Sequence, residues 1–287
     1  MAVARSLNFT RAAEELHIAQ PSLSYTIQQL EKTIGVPLFN RTTRATELTP
    51  DGAILFDEAH AVLDRYDAAM ERMAQVARGE LGRLRVGYLI GAAVDHVPAI
   101  LRAFADDYPD IQLDLIEYDF STPNGGLDTG DTDVAIVRPP LDDVPDVITA
   151  TLLRERCFAC LPTQHHYAAR PSVTVADLLD ESIVAAPGTG AWRDSWILAD
   201  QRQAPPDITY EAATFEAELQ AVAVDRGISI VPETAPRIYA RPGVTFVPIA
   251  DMSDCTVAVA RRPDAPQAAA NFAETAHRIV RDANLAR

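Results

Sequence analysis

Phe9-Thr10-Arg11-Ala12-Ala13-Glu14-Glu15-Leu16-His17-Ile18-Ala19-Gln20-Pro21-Ser22-Leu23-Ser24 is the stretch on which the fold turns. Phe9 to His17 reads as a short helix with Thr10 as its N-cap. Ile18-Ala19-Gln20 breaks it, and Pro21 opens a second helix at the position proline favours. That helix is expected to run to Thr33, where Gly35 and Pro37 stop it. Leu23, Ile27, Leu30 and Ile34 predict one buried stripe. Ser22, Ser24, Tyr25, Thr26, Gln28 and Gln29 make the other face, uncharged and rich in hydrogen-bonding groups. Two short helices around a three-residue turn suit a helix-turn-helix. Gln pairs with adenine edges, and Ser and Thr bind bases or phosphates.

Working outward, Leu38-Phe39 and the residues up to Leu48 form two β-prone stretches around an Arg/Thr tip. They predict a wing in which Arg41 and Arg44 meet phosphates or a minor groove. The plain alternative is a small helical hairpin with a polar outer face. Next comes a long helix from Pro50 to Arg78, ended by Gly79. Its apolar residues Leu55, Ala59, Val62, Tyr66, Ala69, Met73 and Val76 alternate steps of four and three, the seam of a coiled coil. At 1.5 Å per residue the rod is roughly 42 Å long. The seam favours pairing with a second copy of the chain, and the alternative is packing on its own domain.

From Leu84 onward strand-like and helical runs alternate, which predicts an α/β fold with parallel sheets in two lobes. The strand runs are 84–89, 111–118, 134–138, 157–161, 183–186, 208–211, 228–231 and 256–260. Ligands in such folds sit beyond the carboxyl ends of strands, facing helix N-termini. The candidate ligand groups are the loop holding Gly91, Ala92 and Ala93, the strand end Arg138-Pro139, the turn holding Gly188 and Thr189, and Thr214-Phe215-Glu216. Each is equally readable as an ordinary strand-to-helix turn.

The net charge of −16 argues, taken whole, against a nucleic-acid binder. By region it does not: residues 1–50 carry +1 and the rest carry −17. Cys157, Cys160 and Cys255 are an odd, sparse set that fits a reducing cytoplasm. Cys157 and Cys160 form a CxxC, but residues three apart on a strand point to opposite faces and no second CxxC exists. The six His form no metal-spaced set, and no nucleotide, zinc-protease or hydrolase motif appears, so no metal, cofactor or catalytic residue is expected. No signal peptide and no apolar run long enough to span a membrane is read, so a cytoplasmic protein is expected.

The opening stretch, with Gln29-Leu30-Glu31, Gly35-Val36-Pro37-Leu38-Phe39, Arg41 and Leu48-Thr49-Pro50-Asp51-Gly52, resembles the winged helix-turn-helix of LysR-type transcriptional regulators. Gly82 to Gly87, Asp133 to Arg138 and Asp225 to Pro232 are similar to that family's effector domain, so the resemblance spans the chain. It implies a reader at 1–50, a linker and dimerisation helix at 51–79, and a two-lobed effector domain of periplasmic-binding-protein type at 84–287. Lobe I would be 84–161 with 255–287, and lobe II 162–254. The implied partners are promoter DNA, a small molecule in the cleft, and further copies of the chain as a dimer or tetramer. Gln20, Pro21, Ser22, Ser24, Tyr25, Thr26 and Gln29 would contact DNA, with Arg41 and Arg44 on its backbone. Two departures stand out. Only Met1 to Arg5 precede Ser6, so the family's first helix is short by roughly two turns. Tyr25 stands where the family often has Arg, which would read guanine. The rival expectation is a solute-binding or enzymatic α/β protein with an incidental N-terminal hairpin.

Overall fold

A computed structural model describes residues 1–41, 46–142, 144 and 146–285, with the side chain of Arg41 left aside. The chain divides into two compact units, Met1–Ala74 and Gln75–Arg287.

In the first unit, α1 (Ala2–Ser6), α2 (Phe9–Glu15) and α3 (Gln20–Ile34) surround a small core of Val3, Ala12, Ala13, Leu23, Leu38 and Phe39. The cap of α2 is Asn8 rather than Thr10: its side chain accepts from the Thr10 and Arg11 N–H groups at 2.9 and 3.0 Å. The turn after α2 is set by His17 in the left-handed region, φ 54°, and by Ile18 N–H donating back to Ala13 O at 3.0 Å. Of the expected α3 stripe only Leu23 is buried; Ile27 is partly covered, and Leu30 and Ile34 stay exposed. Three small helices are too few to enclose a full stripe.

Strands β1 (Phe39–Arg41) and β2 (Thr46–Leu48) pair antiparallel as the flanks of the expected wing, and Arg44 lies outside the described residues. Glu31 fixes this hairpin to α3, because its Oε1 accepts from the N–H groups of Leu38 and Phe39 at 2.8 and 3.1 Å. Helix α4 (Pro50–Ala77) starts on Thr49, whose Oγ1 accepts from Gly52 N–H at 2.9 Å and donates to Pro37 O at 2.7 Å. Gly52 is needed because a Cβ there would lie 2.0 Å from Leu38 O.

The second unit carries two lobes. Lobe I holds β3 (Gly82–Leu89), α5 (Val97–Asp107), β4 (Ile111–Tyr118), β5 (Val134–Val137) and β6 (Ile148–Glu155). The chain then crosses to lobe II, which holds β7 (Cys157–Pro162), α6 (Val175–Leu178), β8 (Ile183–Ala185), α7 (Ala191–Trp196), β9 (Ile208–Glu211), α8 (Phe215–Ala223), β10 (Ser229–Pro232), α9 (Thr234–Ile238) and β11 (Val244–Pro248). It returns through β12 (Cys255–Arg261) and ends in α10 (Gln267–Leu285).

The lobe I sheet runs β4-β3-β5-β12-β6, and β10-β7-β11 and β8-β9 form the lobe II sheets. Parallel pairing was the expectation, and it holds for β3 with β4 and β5 and for β8 with β9. Strand β12 instead runs antiparallel to β5 and β6, and the β7 sheet is antiparallel throughout. The reason is the crossing chain, which enters each lobe from the other rather than over a helix. Because β7 belongs to lobe II, the first crossing falls at Arg156, not after residue 161. The sheet separates Cys157 from Cys160, which sit in different apolar cores.

Replacing Gly52 by Ala forces a shift of the α4–Leu38 backbone contact and is expected to destabilise the first unit by about 1–3 kcal/mol. A lowered melting transition of that unit, with the second unit's transition unmoved, is the outcome to look for in calorimetry.

Candidate functional site

The outer face of α3 carries Gln20, Pro21, Ser22, Tyr25, Thr26 and Gln29 in solvent, with Ser24 half-buried. Tyr25 is 63% exposed, an unusual place for a large ring with no packing role. Two of the polar groups are pre-set by local bonds: Gln20 Nε2 donates to Ser24 Oγ and Thr26 Oγ1 donates to Ser22 O, each at 2.9 Å. Ala19 at the N-cap offers no side-chain oxygen, so α3 begins without a side-chain cap. A helix with a free N-terminus and an uncharged hydrogen-bonding face can approach a phosphate backbone and read base edges.

The second candidate site lies between the lobes. Ile90, Phe120 and Arg138 come from lobe I, and Ala186, Trp192, Trp196, Phe215, Glu218, Ile230 and Pro232 from lobe II. Phe120 packs on Phe215 at 4.9 Å and on Trp192 at 5.7 Å. The cleft is closed down to a cavity of ≈ 30 Å³, about one water. Gly91 permits this closure: its φ is +78°, and a Cβ would lie 2.3 Å from the Phe215 ring.

The polar groups of the cleft differ from expectation. Arg138 is buried and already engaged, donating to Gly91 O at 3.1 Å and to Glu155 Oε2 at 2.5 Å. It therefore offers no spare charge to a ligand. Gly188 and Thr189 are exposed, and the N-terminus of α7 is filled by Asp142, whose carboxylate accepts from Ala191 and Trp192 N–H at 2.9 and 3.2 Å. Thr214 caps α8 by accepting from Ala217 N–H at 3.2 Å. Glu216 points outward to Arg241, 2.7 Å away, and Pro139 lines a separate surface cavity. Ala92 and Ala93 are buried in the core of lobe I. Of the sequence-named groups, Phe215 and Arg138 line the cleft.

The residues that sequence reasoning missed are Phe120, Trp192, Trp196 and Glu218. Glu218 lies one turn after Phe215 on α8, and this helical spacing was the available signal. Its carboxyl sits deep in the cleft although part of the side chain keeps some exposure, and desolvation pushes its pKa up to about 8. Trp192 Nε1–H is buried with no hydrogen-bond partner among the described residues. The Glu218 carboxyl faces the Ser229 hydroxyl, and the Trp192 indole N–H and the neutral acid are donors among the cleft's lining residues.

The fold also gathers His165 and His166 around Glu181, with Nε2 atoms 3.4 and 3.6 Å from its carboxylate oxygens. His165 Nδ1 accepts from Tyr167 N–H at 3.3 Å, which keeps the proton of a neutral ring on Nε2, facing Glu181. The ligand atoms of these three side chains lie within 4.8 Å of one another, so the fold brings together a candidate metal-ligand group that the sequence reading did not expect.

Comparison with known proteins settles the family. The family description "Bacterial regulatory helix-turn-helix protein, lysR family" matches residues 1–53, and "LysR substrate binding domain" matches residues 77–280. The chain belongs to the LysR family. It is a LysR-type DNA-binding transcriptional regulator with an effector-binding domain, and the reading as an enzyme with an incidental hairpin falls away. The regulator AlsR of Bacillus subtilis is 32% identical over 83% of this chain and 80% of its own. The uncharacterised regulator YnfL of Escherichia coli is 33% identical over 88% and 85%. Among solved structures, full-length OxyR of Pseudomonas aeruginosa matches with a TM-score of 0.67, 26% identity, and coverage of 97% of this chain and 96% of that one. CbnR bound to its target DNA matches with a TM-score of 0.55, 25% identity, and coverage of 97% and 96%. Among the described residues no helix is long and apolar enough to cross a membrane.

The raised pKa of Glu218 has a signed consequence. The folded chain holds this proton and the unfolded chain releases it above 4.5, so its contribution to stability falls as pH rises from 4.5 to about 8. Glu218→Gln is expected to melt with the parent near pH 4.5 and a few degrees above it at pH 8. Equal melting at both pH values would refute the buried-acid account.

Proposed function

We propose that this LysR-type regulator reads promoter DNA with the α3 face and senses a flat, largely apolar effector between its lobes. The observation that carries the first half is the exposed, uncharged hydrogen-bonding face of α3. Gln20, Ser22, Ser24, Tyr25, Thr26 and Gln29 address bases and nearby phosphates, Pro21 sets the helix start, and Arg41 and Arg44 hold the backbone. Tyr25 cannot grip guanine with two bonds as Arg would, so this reader favours a different base at that position. The protein acts in the cytoplasm, where the promoter is.

The working form is a dimer joined through α4. Val62, Tyr66, Met73 and Val76 of the expected seam are exposed, as are Ile54, Leu63 and Met70 beside it. A stripe of this kind in water is the signature of a missing partner helix. Two symmetric readers then fit an interrupted palindrome, in which half-site spacing mirrors the two-fold axis.

In the cleft, Phe120, Trp192, Trp196 and Phe215 supply ring faces for a planar body. Trp192 Nε1–H and the protonated Glu218 supply donors for one acceptor oxygen of the effector. Engagement of Arg138 by Glu155 disfavours a ligand that depends on a buried cation. The small closed cavity means that the lobes part to admit the molecule.

Mobility shift on the DNA upstream of the protein's own gene tests the reader. Gln29→Ala is expected to lose about 1–3 kcal/mol of cognate binding, roughly 5- to 150-fold, with non-specific binding unchanged. Tyr25→Arg should move base preference toward guanine, and Val62→Glu on the seam should weaken palindrome binding and yield monomer in sedimentation. Absence of salt-dependent binding by the parent chain would defeat the proposal. The effector is sought through fluorescence: the chain has two Trp, Trp192 and Trp196, and both line the cleft. A true effector is expected to change tryptophan emission saturably and to raise the melting temperature. A compound that alters promoter binding without changing that emission would place the effector elsewhere.

A further inference from the structure

Each of the two strands that carry the chain between lobes begins with a cysteine. Cys157 opens β7 after the first crossing, and Cys255 opens β12 after the second. They are 98 positions apart, yet their side chains meet: the Cys157 sulfur accepts from the Cys255 thiol and from the Cys255 backbone N–H. The pairing of β12 with β6 places Cys255 opposite Glu155, two residues before Cys157, and Cys157 Sγ lies 3.7 Å from Ser253 O. The two thiols therefore share one face of the crossing ribbon.

Arg138 Nη1 lies 3.4 Å from Cys255 Sγ, so a buried guanidinium stands beside the pair. Cys255 is partly exposed and lines a surface cavity of ≈ 320 Å³ with Pro139, Trp196, Met252 and Asp254. Cys157 is buried behind it. The hydrogen bonds from Cys255 and the charge of Arg138 lower the pKa of Cys157, while that same contact and burial push the Cys255 thiol up, so the first proton leaves from Cys157. Cys160 provides the internal contrast: it is fully buried in an apolar core and burial pushes its thiol up.

We propose that Cys157 and Cys255 are a dithiol that a small hydroperoxide oxidises to a disulfide joining the two lobe-crossing strands. Proton exchange across the thiol contact places the thiolate on Cys255, where the cavity admits the oxidant. The sulfur attacks the O–O bond, an S–O bond forms, and the leaving oxygen departs as water or alcohol after taking a proton. The Cys157 sulfur then attacks the sulfenic sulfur, the S–S bond forms, the S–O bond breaks, and the hydroxyl leaves as water with the second thiol proton. Two thiols lose two electrons together, and the hydroperoxide is reduced by the same two.

The test uses the full reduced chain treated with hydrogen peroxide and then counted for thiols after denaturation. Three free thiols are expected to fall to one, dithiothreitol should restore all three, and digestion should yield one linked peptide pair containing Cys157 and Cys255. Cys160→Ser should still lose two thiols. Cys157→Ser should leave Cys255 trapped by dimedone as a sulfenic acid, whereas Cys255→Ser should leave Cys157 largely unreacted. Retention of three thiols by the parent chain, or a link that uses Cys160 or joins two chains, would overturn the proposal. The parent-chain count needs no variant, so a substitution that fails to fold does not remove the test.

Discussion

The buried ion pair between Arg138 and Glu155 is the constraint around which the effector domain is arranged. An unpaired guanidinium at this depth would be strongly destabilising, so every neighbour is committed to it. Glu155 is the last residue of β6 and also accepts from the Thr234 hydroxyl at the start of α9. Arg138 follows β5 and reaches back to the carbonyl of Gly91 after β3. One ion pair thus ties three strand ends of lobe I to a helix of lobe II, at the level where the chain crosses. Breaking one partner would leave a buried charge uncompensated.

The cleft inherits its chemistry from that arrangement. With Arg138 engaged by Glu155 and Asp142 filling the N-terminus of α7, no free cation lines the proposed cleft among the described residues. What remains is ring surface, an orphan indole N–H and a carboxylic acid kept partly neutral by burial. A ligand in the proposed cleft would be selected by shape and by hydrogen-bond polarity more than by charge.

The reader was legible because its signals are local. Ala12-Ala13, Pro21, Gly35 and Thr49-Pro50-Asp51-Gly52 each act through contacts within a few residues or across one turn. The cap passed from Thr10 to Asn8 because both residues suit the role and only the backbone conformation at Asn8 selects it. Strands β6 and β11 were hidden for different reasons. β6 is an edge strand whose exposed positions blur the alternation, and β11 is short and ends in Pro248. The ligand groups were the least legible. Glu218 looks like an ordinary helix-surface acid until lobe I is laid over it, and Asp142 meets α7 across 49 residues. Strand-to-helix turns were marked correctly as positions, but which of them faces the cleft depends on the long-range packing of two lobes.

If α4 pairs with a second copy as proposed, its bare apolar seam also sets a rule for abundance. A chain that buries Val62, Tyr66 and Met73 only against a second copy has a stability inseparable from its own concentration. When the protein is scarce and mostly dissociated, occupancy of a two-fold site grows with the square of the amount of chain. Once dimers dominate, it grows only in proportion. Under the proposed pairing, α4 would give the promoter a threshold in protein supply, separate from any signal carried by the effector.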